Sequence, residues 1–314
     1  MRRILCVGET LIDFIAQTDV GDVGASEFFR RAAGGAVSNV AVGVARLGGD
    51  AAFAGAIGRD SFGTFLLRTL AHENVNVDAT RLVDEITTLA FVARGADGQR
   101  DFVFARNPGA DSALRPDDLD PTIASQARVV HFGGVLLASE PGRTTSLHAA
   151  ELGRRAGALV SFDPNARPSL FSSALHMRET LRAACAAATL VKCSVEDLDA
   201  MGVQRDIPSL LFDGATEAVV VTDGPKQARW ILKEGASGAA APPRVKPVDT
   251  TGAGDAFMAA LLARLLDKHE LRLSAPALDD AARYACAAGA FACLSEGAIP
   301  SLPRAADVEA MLHD

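Results

Sequence analysis

The 314-residue chain lacks the features that mark several large classes of protein. Its five cysteines are odd in number, scattered, and form no Cys-x-x-Cys pair, so we predict free thiols in a reducing compartment rather than a disulfide framework or a zinc site. No run of about eighteen apolar residues occurs, and the short apolar start at residues 4–7 is followed at once by Glu9 and Asp13. We therefore expect no membrane span, no signal peptide and a cytoplasmic location.

Excess positive charge is also missing, because the formal net charge is −8. That balance gives no electrostatic reason to expect nucleic acid or an anionic membrane as a partner. Two phosphate-binding motifs are absent as well: no Gly-x-x-x-x-Gly-Lys-Ser/Thr occurs, and no Gly-x-Gly-x-x-Gly follows the first apolar run. An anionic ligand would have to be held by backbone dipoles, a few basic side chains and a metal.

Short apolar runs alternate with helical patterns along the chain, which predicts a parallel sheet covered by helices on both faces. The predicted strands are residues 3–8, 51–56, 129–132, 159–162, 189–192 and 218–222. The predicted helices are residues 38–47, 62–73, 144–156, 177–187 and 195–201.

Two stretches interrupt this alternation, at about residues 13–33 and 87–106, and both are typical of hairpins. We predict that they form a small β layer that acts as a lid. The Gly-, Ala- and Pro-rich stretch 234–243 is interpreted as a surface loop.

The most informative motif is Asp249-Thr-Thr-Gly252-Ala253-Gly254-Asp255, which leads into an apolar stretch with a four-residue repeat. Glycines just before a helix expose backbone N–H groups, and the helix dipole makes them an anion site. A carboxylate beside a bound phosphate is repelled unless it must accept a proton there, as in phosphoryl transfer to an alcohol. Asp255 is the predicted catalytic base, although an aspartate in this position could also serve as a helix N-cap.

At these residues the sequence resembles the ribokinase-like (PfkB) carbohydrate kinase family. The family's N-terminal signature has its counterpart in Gly34-Gly35-Ala-Val-Ser-Asn39 and the glycines that follow it. The resemblance covers essentially the whole chain and implies one domain, 1–314, with a doubly wound α/β core and a β-stranded lid. It also implies ATP and Mg²⁺ as cofactors, a small-molecule sugar as substrate, a monovalent-cation site for K⁺ near Asp249, and a homodimer formed through the lid.

Within the family, several phrases are similar to fructokinases, among them Gly8-Glu-Thr-Leu-Ile-Asp13 and Asp163-Pro-Asn165-Ala-Arg167. This resemblance implies which residues form each part of the site. The residues assigned to sugar binding are Asp13, Gly34, Gly35, Asn39, Arg106, Asn107 and Arg167. Catalysis falls to Gly252, Ala253, Gly254 and Asp255. Nucleotide binding falls to Asn165, Lys192, Thr222, Gly224 and Gly254.

Some of these assignments have plain structural alternatives. Asp13 could be a turn carboxylate, Arg106 an exposed residue at a strand end, and the Asp163–Arg167 phrase a turn with a surface ion pair. Where many family members carry Asn-x-x-Glu to organise magnesium through water, this chain has Ser194-Val-Glu196-Asp197. Glu196 and Asp197 are therefore either water-mediated metal contacts or the acidic first turn of a helix capped by Ser194.

The function implied is ATP-dependent phosphorylation of a sugar primary hydroxyl, with fructose converted to fructose 6-phosphate. Two alternatives stay open. One is a kinase for another sugar, chiefly ketodeoxygluconate. The other is a catalytically silent sugar-binding regulatory protein on the same fold.

Overall fold

The structure is a computed structural model that describes residues 3–18, 21–95, 100–106, 108–204, 208–266 and 271–313. Its strands are β1 (Arg3–Val7), β2 (Leu11–Ala16), β3 (Phe29–Gly34), β4 (Asp50–Ala54), β5 (Ala56–Gly58), β6 (Arg81–Val83), β7 (Leu89–Arg94), β8 (Arg100–Ala105), β9 (Ala127–Gly133), β10 (Leu159–Asp163), β11 (Leu190–Ser194), β12 (Ala218–Thr222), β13 (Ala228–Leu232) and β14 (Ser237–Ala240). Its helices are α1 (Ala36–Arg46), α2 (Ser61–His72), α3 (Pro121–Gln126), α4 (Gly142–Arg155), α5 (Ala174–Ala187), α6 (Val195–Met201), α7 (Ala253–Leu266), α8 (Ala275–Ala292), α9 (Ala298–Ser301) and α10 (Ala305–His313). Among the described helices, none combines the length and the apolar character needed to span a bilayer.

The core is an eight-stranded sheet in the order β14-β13-β12-β11-β10-β9-β1-β4. Strands β4 to β12 of that sheet are parallel, and β13 and β14 add an antiparallel edge. Side chains of β1 alternate between two cores, with Ile4 and Cys6 packed on one face and Leu5 and Val7 on the other. Helices α1, α7 and α8 cover the first face, and α3 and α4 cover the second. The predicted mostly parallel, doubly wound α/β core is confirmed.

The strand order reverses at β1. From β1 the chain moves outward to β4, whereas from β9 it moves in the opposite direction through β10, β11 and β12. In doubly wound sheets the connections on either side of such a reversal separate and leave a crevice at the carboxyl ends of the strands. The crevice therefore lies where β1 ends near Gly8 and β9 ends at Gly133.

A second sheet has the order β3-β2-β7-β8 and occupies most of the two stretches predicted as hairpin material. β2 and β3 pair antiparallel, as do β7 and β8, while β2 and β7 run parallel. On β2, Asp13 and Ile15 share one face, and Phe14 packs from the other face against Phe62 of α2. Residues 96–99, which connect β7 to β8, lie outside the described residues.

The interpretation of residues 234–243 as a loop is wrong, because β14 lies within them. β14 pairs antiparallel with β13 and closes the edge of the main sheet. Small residues are required there: a Cβ on Gly238 would fall 2.4 Å from the indole of Trp230 on the neighbouring strand. Composition alone suggested a loop because a strand of Gly, Ala and Ser has no hydrophobic alternation to reveal it.

Candidate active site

The segment before α7 is fixed by glycine and by one aspartate. Gly252 has φ +81°, and a Cβ there would fall 2.9 Å from the Cα of Ala298, so only glycine fits. Asp249 Oδ1 accepts hydrogen bonds from the backbone N–H of Thr251 at 3.0 Å and from its hydroxyl at 2.8 Å. Asp249 Oδ2 accepts from the N–H of Gly297 at 2.9 Å. These contacts aim the first turn of α7 into the crevice.

The amides of that first turn have no carbonyl one turn earlier in the helix to accept their hydrogen bonds. The N–H of Ala253 donates to the carbonyl of Thr250 at a long 3.3 Å, which leaves Gly254 and Asp255 as the stronger candidate anion donors. With the dipole of α7 behind them, they form a site suited to phosphate.

Asp255 lies half-buried in this turn and accepts a hydrogen bond from Nδ2 of Asn39 at 2.8 Å. Burial raises the pKa of Asp255 to about 6; Asp163 adds to the rise, while Asn39, Lys192 and Arg167 oppose it. The carboxylate is therefore ionised at neutral pH and is a stronger base than an exposed aspartate. It can accept a proton from an alcohol held beside it.

Lys192 brings a positive charge to the first turn of α7. Its side chain is buried on β11, and Nζ donates to Asp163 Oδ2 at 2.8 Å. Burial lowers the pKa of Lys192, but the carboxylates of Asp163, Asp197 and Asp255 outweigh that effect and raise it above its usual range. A Cβ on Gly254 would fall 3.3 Å from Nζ, so the ammonium group lies directly beside the anion site.

The start of α7 opens into a cleft of about 210 Å³ between the main sheet and the second sheet. The structure brings eight of the predicted site residues into the lining of this one cleft: Asp13, Gly35, Asn39, Asn165, Arg167, Gly252, Gly254 and Asp255. Gly34 lies directly beneath Asp13, because a Cβ on Gly34 would fall 2.0 Å from the Asp13 carboxylate. Residues far apart in sequence thus meet around one cleft.

Arg106 is placed differently from the prediction that it closes over the sugar. Its side chain is only 7% exposed and its Nη2 lies 2.9 Å from Oδ2 of Asp111, which is fully buried. The hydroxyl of Thr88 donates to the same carboxylate. Arg106 does not line the cleft, so its guanidinium serves to hold the ends of β7 and β8 to the segment after them. Asn107 lies outside the described residues.

The predicted nucleotide residues Thr222 and Gly224 lie at the end of β12, beside the ends of β10 and β11 but not in the lining of the cleft. Gly224 adopts φ +50° in the turn after the strand, and the Thr222 hydroxyl donates to the carbonyl of Cys193 at 3.4 Å. Both residues therefore shape the carboxyl edge of the sheet next to Lys192, where α/β sheets bind ligands.

Of the two residues predicted to contact magnesium, Asp197 has a structural role and Glu196 lies at the surface. Asp197 Oδ2 accepts from the N–H of Ser194 and Oδ1 accepts from the N–H of Ala166, both at 2.8 Å, so the carboxylate forms a capping box and holds the loop after β10. Glu196 is exposed. Among the described residues, no group of three or more His, Cys, Asp or Glu side chains could hold a metal ion. Contact with a metal through water stays a prediction.

Sequence reasoning missed several residues that line the cleft, among them Glu9, Phe102 and Phe104. The two phenylalanines alternate along β8 and so share its cleft-facing side, with rings 6.3 Å apart and nearly parallel. Phe102 also lies under the Arg167 guanidinium, 5.2 Å from ring centroid to Cζ, which joins the second sheet to the loop after β10. Their two-residue spacing was the available signal.

Comparison with known proteins adds a family match and close relatives. Residues 1–305 match the sequence model of a protein family, described as "pfkB family carbohydrate kinase". Fructokinase-1 of Zea mays is 38% identical over 311 residues, covering 97% of this chain and 96% of that protein.

Two solved structures have the same fold over nearly their whole length. Fructokinase from Vibrio cholerae O395 in its fructose-, ADP- and calcium-bound form has a TM-score of 0.88 at 32% identity, with 99% of each chain covered. Fructokinase from Xylella fastidiosa with bound ATP has a TM-score of 0.87 at 31% identity, covering 99% of this chain and 98% of that one.

Proposed function

The chain belongs to the pfkB family of carbohydrate kinases and is a sugar kinase, and from that premise we propose that it transfers the terminal phosphoryl group of ATP to the primary hydroxyl of fructose, giving fructose 6-phosphate. The observation that carries the proposal is the meeting of Asp255, at the start of α7, with Asn39 and Asp13 in one cleft. The fructose and ADP bound to the Vibrio cholerae fructokinase and the ATP bound to the Xylella fastidiosa fructokinase agree with this pair of substrates.

On the sugar side of the cleft, polar groups of the protein form hydrogen bonds with the hydroxyls of the sugar. Asp13 offers a carboxylate, Asn39 an amide, and Gly35 a backbone unobstructed by a side chain. Phe102 and Phe104 line the second-sheet side of the same cleft and help to exclude water from it. We propose that this sheet is the lid.

On the phosphate side, ATP supplies the phosphoryl group when bound, with Mg²⁺ as the ion that neutralises phosphate charge. Asp255 accepts the proton of the attacking hydroxyl. The N–H groups of Gly254 and Asp255, with the Lys192 ammonium beside them, stabilise charge on the transferring group; each such donor contributes roughly 3–4 kcal/mol in comparable sites. Asn165 and Arg167 border the same space from the loop after β10.

We propose that the divalent ion arrives with the nucleotide and touches the protein mainly through water. The commitment of both Asp197 oxygens to backbone N–H groups supports this, since Mg²⁺ commonly keeps several of its waters. A K⁺ site beside Asp249 is proposed by family likeness. The hydrogen bonds of Asp249 to Thr251 and Gly297 would couple such an ion to the anion site.

The charge of the cleft favours a neutral sugar over ketodeoxygluconate. Among the described residues, three carboxyl groups line it, from Glu9, Asp13 and Asp255, against one guanidinium, that of Arg167, because Arg106 is paired with Asp111. A substrate carboxylate would meet repulsion there unless it lay against Arg167. The intact start of α7, with Lys192 beside it, argues against a silent sugar-binding protein.

The test is a panel of fructose, ribose, ketodeoxygluconate and adenosine in a coupled assay for ADP. We expect fructose to have the highest kcat/KM. A higher value for another sugar would reassign the substrate within the family. Binding of a sugar without ADP formation from any of them would instead support the regulatory alternative.

We also propose a homodimer formed through the lid and a cytoplasmic location. The outer face of β8 carries Val103, which is half exposed, and Phe28 beside β3 is 70% exposed, so the lid presents apolar surface to a second copy. Light scattering coupled to gel filtration, on the wild type and Val103→Glu, tests the dimer. Five free cysteines support a reducing compartment.

A further inference from the structure

Glu9 lies at the floor of the cleft, at the reversal point of the main sheet. Gly8 before it tolerates no side chain, because a Cβ there would fall 2.5 Å from Val37, so the chain turns tightly under the start of α1. This turn places Glu9 between the ends of β1 and β9, with Oε2 4.0 Å from the Cβ position of Gly133. The residue is 1% exposed and still lines the cleft.

The hydrogen bonding of the Glu9 carboxyl group is incomplete. Oε1 accepts from the N–H of Val37 at 3.3 Å, near the long limit for such a bond. Oε2 is buried and has no hydrogen-bond partner within the described part of the chain. A buried acceptor without a partner costs free energy in the folded protein. The unpaired Oε2 of Glu9 therefore points to a ligand that donates a hydrogen bond to it.

The electrostatic surroundings agree with this view. Burial raises the pKa of Glu9 to about 7, with Asp111 and Asp255 adding to the rise, while the N–H groups of Glu9 itself and Val37 oppose it. Asp13 and Arg167 are the other charged side chains in the lining of the cleft. A hydroxyl that donates a hydrogen bond to the Glu9 carboxylate stabilises its ionised form.

A second acceptor in the same cleft is also without a partner in the described structure. Asn39 donates through Nδ2 to Asp255, but its Oδ1 is buried and unpaired. Two unpaired acceptors around one cavity match a ligand that carries several adjacent O–H donors, as a sugar does.

We propose that Glu9 is a sugar-binding residue, whose Oε2 accepts a hydrogen bond from a hydroxyl of the acceptor sugar other than the one phosphorylated. This inference rests on the sugar-kinase function proposed above. The phosphorylated hydroxyl belongs beside Asp255, so Glu9 recognises a different part of the sugar and thereby sets its orientation.

The structural alternative is that Glu9 only holds the start of α1 through Val37. Glu9→Gln separates the two roles, because its amide carbonyl keeps the acceptor for the Val37 N–H and the side chain keeps its size. Ser38→Ala is the matched control: Ser38 is buried in the same turn of α1 and its hydroxyl donates to the carbonyls of Gly34 and Gly35, but it does not line the cleft.

The experiment is calorimetric titration of fructose into each protein without ATP, with kcat and both KM values measured in parallel. For Glu9→Gln we expect fructose affinity to fall about tenfold at pH 7.5, with KM for ATP changed less than about twofold. For Ser38→Ala we expect a lower Tm and nearly unchanged fructose affinity. Equal affinities of Glu9→Gln and wild type, or an equal loss in Ser38→Ala, would overturn the proposal.

A second measurement uses the wild type alone and so does not depend on the variant's folding. A hydroxyl that donates to Glu9 favours its ionised form, so fructose binding near pH 7 should release protons, seen as a dependence of the binding heat on the buffer. Asp255 titrates near pH 6 and contributes little at pH 7.5. Binding without proton release at pH 7.5 would contradict the role of Glu9. A wild type that phosphorylates no sugar would instead contradict the proposed function itself.

Discussion

The residues of the cleft show how burial prepares carboxyl groups for different tasks. Asp255 has its pKa raised to about 6 and Glu9 to about 7, in both cases chiefly by burial, whereas Asp197 lies under backbone N–H donors that hold a loop in place. Similar side chains therefore have different roles, as proposed base, as proposed sugar acceptor and as helix cap, depending on what surrounds each of them.

The pH dependence of turnover tests the assignment of Asp255 as the base. Its carboxylate must be ionised to accept a proton, so kcat should rise as the pH increases through about 6 and level off above pH 7. Asp255→Asn should lower kcat by about two to four orders of magnitude while fructose still binds. Near-normal turnover in that variant would show that Asp255 is not the catalytic base.

The same substitution has a predictable effect on stability. Because the folded pKa of Asp255 lies above its unfolded value near 3.8, the folded state binds the proton more tightly. The associated stability is complete below pH 3.8 and is lost as the pH rises through about 6. Asp255→Asn should therefore raise the Tm at pH 8, and the gain should shrink as the pH falls toward 4. An unchanged difference in Tm across that range would contradict the raised pKa of Asp255.

At the scale of elements, α7 combines the proposed catalytic residue in its first turn with a body that is apolar on nearly all sides. From Ala256 onward most of its side chains are buried between α1 and α8. The helix cannot tilt without repacking these neighbours, so its first turn is held rigidly against Lys192 and Asn39. Gly252 and Gly254 give that turn its access to a phosphate.

Gly254→Ala tests this access. The added methyl group would lie 3.3 Å from Nζ of Lys192, the movable end of a long side chain, so the fold should survive with a similar Tm. The methyl would crowd the anion site, and we expect kcat/KM for ATP to fall about tenfold or more with fructose affinity unchanged.

Gly289→Ala is the control for Gly254→Ala, because its methyl would press on the carbonyl of Ala253 from behind α7 rather than from the cleft. An equal loss of activity in the control would show that a displaced helix, and not a crowded anion site, is the cause.

At the scale of the whole molecule, the sequence predicted the parallel core, most of its helices and the residues that meet around α7. The core and its helices follow from local patterns, namely apolar runs and caps, whereas the site residues other than Asp255 followed from the resemblance to the PfkB family. The partner of Arg106 and the cleft-facing place of Glu9 depend instead on how β1, β7 and the segment after β8 come together, which no local pattern encodes. The pairing of Lys192 with an acidic residue could have been predicted, since a lysine inside a buried strand requires a counter-charge such as Asp163.

Ile12 of β2 and Ala33 of β3 belong to the main core, whereas the contacts of the second sheet across the cleft include the exposed ion pair between Arg30 and Glu296 and the Arg167–Phe102 contact. Exposed pairs of this kind contribute little stability, so we expect β7 and β8 to open readily in the free protein.

Hydrogen exchange tests the lid. Amides of β7 and β8 should exchange faster than those of β10 and β11 without ligand, and should slow by about tenfold or more when fructose and a non-hydrolysable ATP analogue are both bound. Equal protection of these strands with and without the ligands would contradict a lid that closes on the sugar.

The chain has a single tryptophan, and its position has a practical consequence. Trp230 lies buried on β13, packed over Gly238 at the edge of the main sheet, and is absent from the lining of the cleft. Its intrinsic fluorescence should consequently follow denaturation of the sheet edge while staying nearly silent when fructose binds. The protein thus carries a built-in optical reporter of folding, and its ligands have to be followed by heat, by proton release or by product.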